Sequence, residues 1–226
     1  MREFNPQQML LTLEPSDGYA AEFFVPHSGV VDAIGAIEAG FQQVVRDPTS
    51  FRSVFLWGPP GSGKSHLIRY VIERFREFPR EMLDVIPIGA AHTPGGVVGE
   101  AFASADSVSQ IVALYEQRRS NGGFLIFESR LAPEIVSDNP HLASRFKAGV
   151  VCQLALPRDV ELEPLIRSLA QRRNLQLSSH AIGYLCRRAA RDPLSFDRLL
   201  DKMGRLSLSH SRPAGLSALR EVLRGG

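Results

Sequence analysis

Two cysteines, one tryptophan and no long apolar run in 226 residues set the first limits on this chain. A membrane-spanning helix needs about 20 consecutive apolar residues, and none of its runs approaches that, so no membrane partner is expected. The N-terminus, MREFNPQQMLLTLEP, lacks a long apolar core followed by a small-residue cleavage site, so no secretory signal is expected either. Cys152 and Cys186 stand far apart and form no metal-like spacing. A reducing, cytoplasmic setting with both as buried thiols fits them best. The six histidines include no H-x-x-x-H pair, so no metal centre is read from them. An excess of one charge is also missing. At a formal +2, net charge is no nucleic-acid signature. Arginine does gather between Arg158 and Arg224, with the pairs Arg172-Arg173 and Arg187-Arg188. Solvated faces of surface helices are the plain reading. A basic edge facing DNA or an acidic partner is the sharper one.

The organisation that is present alternates. Residues 1 to about 20 form a tail, in which Gln7-Gln8-Met9-Leu10-Leu11-Thr12-Leu13 is a short apolar strip ended by the turn-rich Glu14-Pro15-Ser16-Asp17-Gly18. A helix is expected over about 28–45, with Val31, Ile34, Ile37 and Phe41 on one stripe. Ser53 to Trp57 reads as a buried strand, followed by helical spacing at Leu67, Ile68, Val71, Ile72 and Phe75. Val85-Ile86-Pro87-Ile88 is a short strand whose proline suits an edge. A helix over 107–119, with Val108, Ile111, Val112 and Tyr115 inward, leads to the strand Phe124 to Phe127, and Val150 to Leu154 is another. Such alternation implies an α/β fold with a parallel sheet between helices. Past Pro157 the strand signals stop, and four helix-like stretches are broken at Asn174, Asp192-Pro193 and Arg212-Pro213. The expected division is a tail over 1–20, an α/β nucleotide-binding domain over 21–157, and a helical lid over 158–226.

Between the first strand and its helix lies Gly58-Pro59-Pro60-Gly61-Ser62-Gly63-Lys64-Ser65, which fits G-x-x-x-x-G-K-[ST]. Glycines let successive backbone N–H groups point inward around phosphates. The following helix adds its positive N-terminus. Lys64 is expected to reach the β/γ-phosphates and Ser65 to ligand Mg²⁺. ADP or ATP with Mg²⁺ is the expected cofactor.

Hydrolysis needs an acid as well, at the end of a second strand. Phe124-Leu125-Ile126-Phe127-Glu128 has that local form but lies late in the chain, and Val97-Val98-Gly99-Glu100 carries glycine where an aspartate belongs. Nucleotide binding with slow or absent hydrolysis is therefore expected.

The order of these features resembles the bacterial replication-initiator ATPase family of DnaA and its short regulator Hda, within the AAA+ class. Trp57 through Leu67 is similar to the family's phosphate box, including His66 after it. Leu125-Ile126-Phe127-Glu128-Ser129-Arg130 occupies the place of its sensor-1 strand, which implies Ser129 near the nucleotide. Leu142-Ala143-Ser144-Arg145-Phe146 looks like the box carrying an arginine finger, and Leu156-Pro157 with the helices beyond matches the lid. Gln8-Met9-Leu10-Leu11-Thr12-Leu13 is similar to the segment that Hda-type proteins dock on the replication sliding clamp, with Gln8, Met9, Leu11 and Leu13 as its anchors. The bland alternative is a strip packed on the chain's own body.

Two departures follow from the same resemblance. Glu128 belongs in it to the sensor-1 strand, and the acidic box shrinks to Gly95–Glu100 without its aspartate. The sensor-2 arginine falls at Leu194, with Arg191 and Arg198 nearby. The resemblance then implies a regulator that lends Arg145 to the nucleotide of a neighbouring DnaA, docks on the clamp, and self-associates through the same interface. Arg145 as a structural arginine paired with Asp138 or Glu134 is the competing reading. A nucleotide-independent scaffold and an active ATPase using Glu128 or Glu100 remain as other classes.

Overall fold

The computed structural model describes residues 23–88, 108–137, 139–188 and 193–210. The tail strip, the segment Gly95–Glu100, Asp138 and Arg191 lie outside the described residues, as does the side chain of Leu194.

Strand alternation organises the α/β unit, because successive side chains leave opposite faces of a sheet. In β1 (Phe51–Trp57) and β3 (Gly123–Ser129) both faces are apolar. Val54, Leu56, Phe124 and Ile126 join one buried cluster, while Phe55, Leu125 and Phe127 join another. The first face is covered by α1 (Val31–Arg46) and α2 (Lys64–Arg74). The second is covered by α3 (Val108–Asn121) and α5 (Pro140–Ala148), with the short α4 (Pro133–Val136) beside them. With β2 (Leu83–Ile88) and β4 (Val150–Gln153), the described sheet runs β2-β3-β1-β4, all parallel. This is the expected parallel sheet between helices, and Pro87 sits on an edge strand of the described sheet, where a missing N–H is tolerated.

β2 pairs directly with β3 over six positions, from Leu83↔Phe124 to Ile88↔Ser129. No strand lies between them. Asp84, buried on β2, is neutralised by Arg118 near the end of α3.

Two apolar residues expected inward face out. Val31 is 54% exposed and Val108 42%. In α1 the expected stripe holds at Ile37 and Phe41, which are fully buried, and departs only at its start, where Val30, which donates its N–H to the His27 carbonyl, is buried in place of Val31. Cys152 is buried and Cys186 half-buried; burial raises both thiol pKa values.

Beyond β4, the lid helices α6 (Leu162–Gln171), α7 (Ser179–Arg188) and α8 (Pro193–His210) have their own core of Leu162, Ile166, Ile182, Leu185, Phe196 and Leu200. Asn174, a predicted break, takes a left-handed φ of 53° after α6. Several lid arginines turn inward. Arg172 and Arg173 bond Asp197 of α8 at 2.6 and 2.8 Å, and Arg173 also reaches Asp201. Those contacts hold the end of α6 against α8. No helix among the described residues is long and apolar enough to cross a membrane.

Candidate nucleotide site

The site is built where β1 ends and α2 begins. Gly58 leaves the strand so close to the β4 connection that a Cβ there would stand 2.3 Å from the Leu154 carbonyl oxygen. Only glycine fits. Gly63, at the N-cap of α2, has φ 86°, a left-handed conformation that glycine adopts without steric cost. The loop is thereby folded back over the first turn of α2, whose N–H groups have no carbonyl partner within the helix. That geometry suits an anion.

Lys64 lies inside the loop. Its Nζ donates to the Gly58 carbonyl at 2.7 Å, the Pro59 carbonyl at 3.1 Å and the Ser62 Oγ at 3.3 Å. Burial lowers its pKa, the Glu128 carboxylate opposes that shift, and the Arg130 guanidinium adds to it. Ser62 is fully buried, and its N–H donates to the Pro59 carbonyl. Ser65 is exposed at the mouth, as are Pro59 and Pro60. The cradle therefore fits the phosphates of a nucleotide: inward cation, glycine-lined wall, helix N-terminus. Ser65 supplies a hydroxyl oxygen suited to a hard cation beside them.

The Ser65 hydroxyl donates to the Glu128 Oε1 at 2.6 Å. Register explains the contact. Leu56 pairs with Glu128, so Glu128 shares the sheet face that carries α2. Ser129 pairs with Trp57, so alternation sends it to the opposite face; it is buried, and its Oγ accepts the Leu131 N–H at 3.0 Å. The expected nucleotide neighbour on β3 was Ser129; the side chain facing the loop is Glu128. Its local form was visible in the sequence, as an apolar run ending in a carboxylate, whereas its register was not.

A strap over 23–30 runs beside the loop, and composition gave no sign of it. Phe24 stacks on Tyr70 of α2 at 4.5 Å between ring centroids and meets the ring of His66 edge-on at 5.2 Å. The buried His27 accepts the Gly29 N–H on Nδ1 at 3.2 Å. Burial lowers its pKa, against opposing effects of Glu161 and the Ser62 backbone. The strap also reaches the lid. Glu161 accepts from the Ser28 N–H and hydroxyl at 2.7 and 3.0 Å, and from the Arg158 N–H at 2.7 Å, while the Ser168 hydroxyl donates to the Phe23 carbonyl. The Arg158 N–H first, then the Arg158 side chain and the Ser28 donors, lower the Glu161 pKa to about 2. A depressed carboxylate pKa stabilises the fold above its ordinary value of 4.5, and that contribution is lost as pH falls toward about 2. Glu161→Gln is expected to flatten the fall in stability across that window, measured as urea midpoints at successive pH values.

Arg145 lies apart from this cradle. α5 carries it on the sheet face opposite α2, and its Nε and Nη2 both bond the Glu116 Oε1, at 3.0 and 2.7 Å. Nη1 donates to the His141 carbonyl, and the guanidinium sits 5.6 Å from the Tyr115 ring centroid. The side chain is 21% exposed. Its partner is thus on α3; Glu134, one partner weighed from sequence, pairs with Lys147 instead.

No protein-family model matches the chain. An uncharacterised protein of Haemophilus influenzae is 23% identical, with 75% of this chain and 80% of that protein covered. Domain III of the Thermotoga maritima replication initiation protein DnaA superposes with a TM-score of 0.69 at 16% identity, covering 99% of this chain and 98% of that one. The T. maritima RuvB Holliday junction branch migration motor gives 0.61 at 14% identity, covering 91% and 71%. A DNA replication initiation factor gives 0.60 at 16%, covering 85% and 67%. The chain has the AAA+ fold of DnaA domain III: a parallel sheet with flanking helices and a P-loop at its first strand.

Proposed function

We propose that this chain is a DnaA-related, nucleotide-binding regulator of replication initiation, of the Hda type. The observation that carries it is the Lys64 cradle, set in a fold that superposes along nearly its whole length on DnaA domain III. In this reading ADP or ATP with Mg²⁺ occupies the loop over Gly58–Ser65. The tail residues Gln8, Met9, Leu11 and Leu13 dock on the sliding clamp, and Arg145 acts on the nucleotide of a DnaA neighbour.

The placement of Arg145 on the face away from its own cradle suits a role across an interface. Its bonds to Glu116 mean that it must exchange partners to reach a phosphate. An arginine finger neutralises charge on the transferring phosphoryl group and is worth about 10³–10⁵ in rate. Arg145→Ala is therefore expected to abolish stimulation of ATP hydrolysis by DnaA, read as phosphate release from a mixture of the two proteins. Arg145→Lys, which keeps a cation beside Glu116, controls for fold and should also fail to stimulate. Stimulation that survives in the alanine variant would rule the finger out. The docking half rests on the tail: Gln8→Ala with Leu11→Ala should lose capture by immobilised clamp, and undiminished capture would refute it.

A further inference from the structure

In the resemblance to DnaA and Hda the acidic box shrinks to Gly95–Glu100, between β2 and β3 in the chain, without its aspartate. Those two strands pair directly, from Leu83↔Phe124 to Ile88↔Ser129. β3 is also the neighbour of β1, whose end becomes the phosphate loop. One strand thus stands both beside β1 and beside β2, and its C-terminal end carries a carboxylate.

Two observations give that carboxylate a task. Glu128 shares the face of α2 by register with Leu56. It accepts a hydrogen bond from the Ser65 hydroxyl at 2.6 Å. A hydroxyl has one proton and two lone pairs. With the proton committed to Glu128, the lone pairs of Ser65 Oγ are left for a cation. The contact therefore orients the ligand instead of competing with the metal. Such outer partners of a metal ligand commonly set affinity by about 10–100-fold. No cluster of three His, Cys, Asp or Glu side chains capable of holding a metal occurs among the described residues. Mg²⁺ at a nucleotide takes one or two carboxylates together with phosphate oxygens and waters.

We propose that Glu128, at the end of the strand beside the phosphate loop, is the carboxylate that orders Mg²⁺ at this site through Ser65. The inference rests on nucleotide binding at Lys64 as proposed above. It gives Glu128, weighed from sequence as the acid of an active ATPase, the task of ordering the metal.

The test is a titration of the full chain with a fluorescent ADP analogue, with Mg²⁺ and again with EDTA. It compares the native protein with Glu128→Gln and Ser65→Ala. Glutamine keeps the volume of the side chain, removes the charge, and exchanges the charge-assisted acceptor of the Ser65 hydroxyl for a weaker neutral one. The native protein should bind about tenfold more tightly with Mg²⁺, equivalent to about 1.4 kcal/mol. In Glu128→Gln that ratio should fall to near one, with EDTA affinity unchanged. Mn²⁺ electron paramagnetic resonance, which counts bound metal directly, should show the ion weakened by about 10–100-fold in the same variant. A Glu128→Gln protein that keeps the full Mg²⁺ ratio and Mn²⁺ affinity overturns the proposal and leaves the nucleotide site standing. A native protein that binds no nucleotide in either buffer overturns both.

Discussion

Replacing Lys64 with alanine is expected to weaken ADP binding by about 100-fold, read by titration calorimetry. The ammonium is already held among the Gly58 and Pro59 carbonyls and the Ser62 Oγ, so it waits inside the loop at little further cost in side-chain freedom. Phosphate oxygens would exchange for those acceptors. Charge-assisted hydrogen bonds are worth about 1.5–3 kcal/mol each, and two lost on truncation amount to about 3 kcal/mol, or two decades in affinity. Lys64→Arg should not rescue binding, because the larger planar guanidinium has to enter a buried pocket shaped for one point charge. Native-like affinity in Lys64→Ala would mean that nucleotide binds elsewhere or that the loop is structural. A thermal melt without ligand separates this from misfolding, and only a small shift is expected there.

The largest effect on stability should come from Phe41→Ala, at about 3–5 kcal/mol. Phe41 is fully buried on the α1–α2 side of the sheet. It stacks on Phe78 at 4.5 Å and meets Phe124 and Phe75 edge-on at 4.8 and 5.4 Å. Aromatic pairs of this kind contribute about 0.5–1.5 kcal/mol beyond area burial. The neighbouring Gly40 shows how closely α1 lies on β3, since a Cβ there would reach the Phe124 ring at 2.0 Å. At that approach the helix has little room to settle into the hole an alanine leaves. A domain stability of about 5–15 kcal/mol makes the loss a large fraction of the total. At about 2–4 °C per kcal/mol for a chain of this size, the melting temperature should fall by about 6–20 °C. A fall of only a degree or two would show that the surrounding rings collapse into the space. Nucleotide affinity well below the melt should be retained, since no ring of this cluster touches the loop.

What could be read from sequence was local. Strands β1 and β3 are continuous apolar runs because both faces are covered, and the phosphate loop identifies itself by its glycines and Lys64. The helix α5 had weaker signals. Asn139 caps it through the His141 and Leu142 N–H groups and Pro140 opens it, but only Leu142 and Phe146 mark its buried side. The stripe of α1 was legible at Ile37 and Phe41 but not at its start, where the turn at His27–Val30 buries Val30 in place of Val31, and no periodicity within the helix shows that turn. The partners that decide function are distant in sequence. Glu116 lies 29 residues from Arg145, and Glu128 lies 63 from Ser65. Composition and spacing do not encode such separations; the packing of α5 on α3 sets the first and sheet register the second.

That register ties chemistry to packing in a way that bears on how this chain can change over generations. In β3, the parity that turns Glu128 toward Ser65 also turns Phe124 and Ile126 toward α1 and α2, and Phe127 toward α5. A one-residue insertion or deletion inside a strand flips every side chain beyond it. A slip that begins before Phe127 would carry Ser129 toward the loop while driving Phe127 out of its contact with Phe146. Point substitution at position 128 is therefore the accessible route for tuning or silencing the site. Length variants should be confined to the loops on either side of the strand.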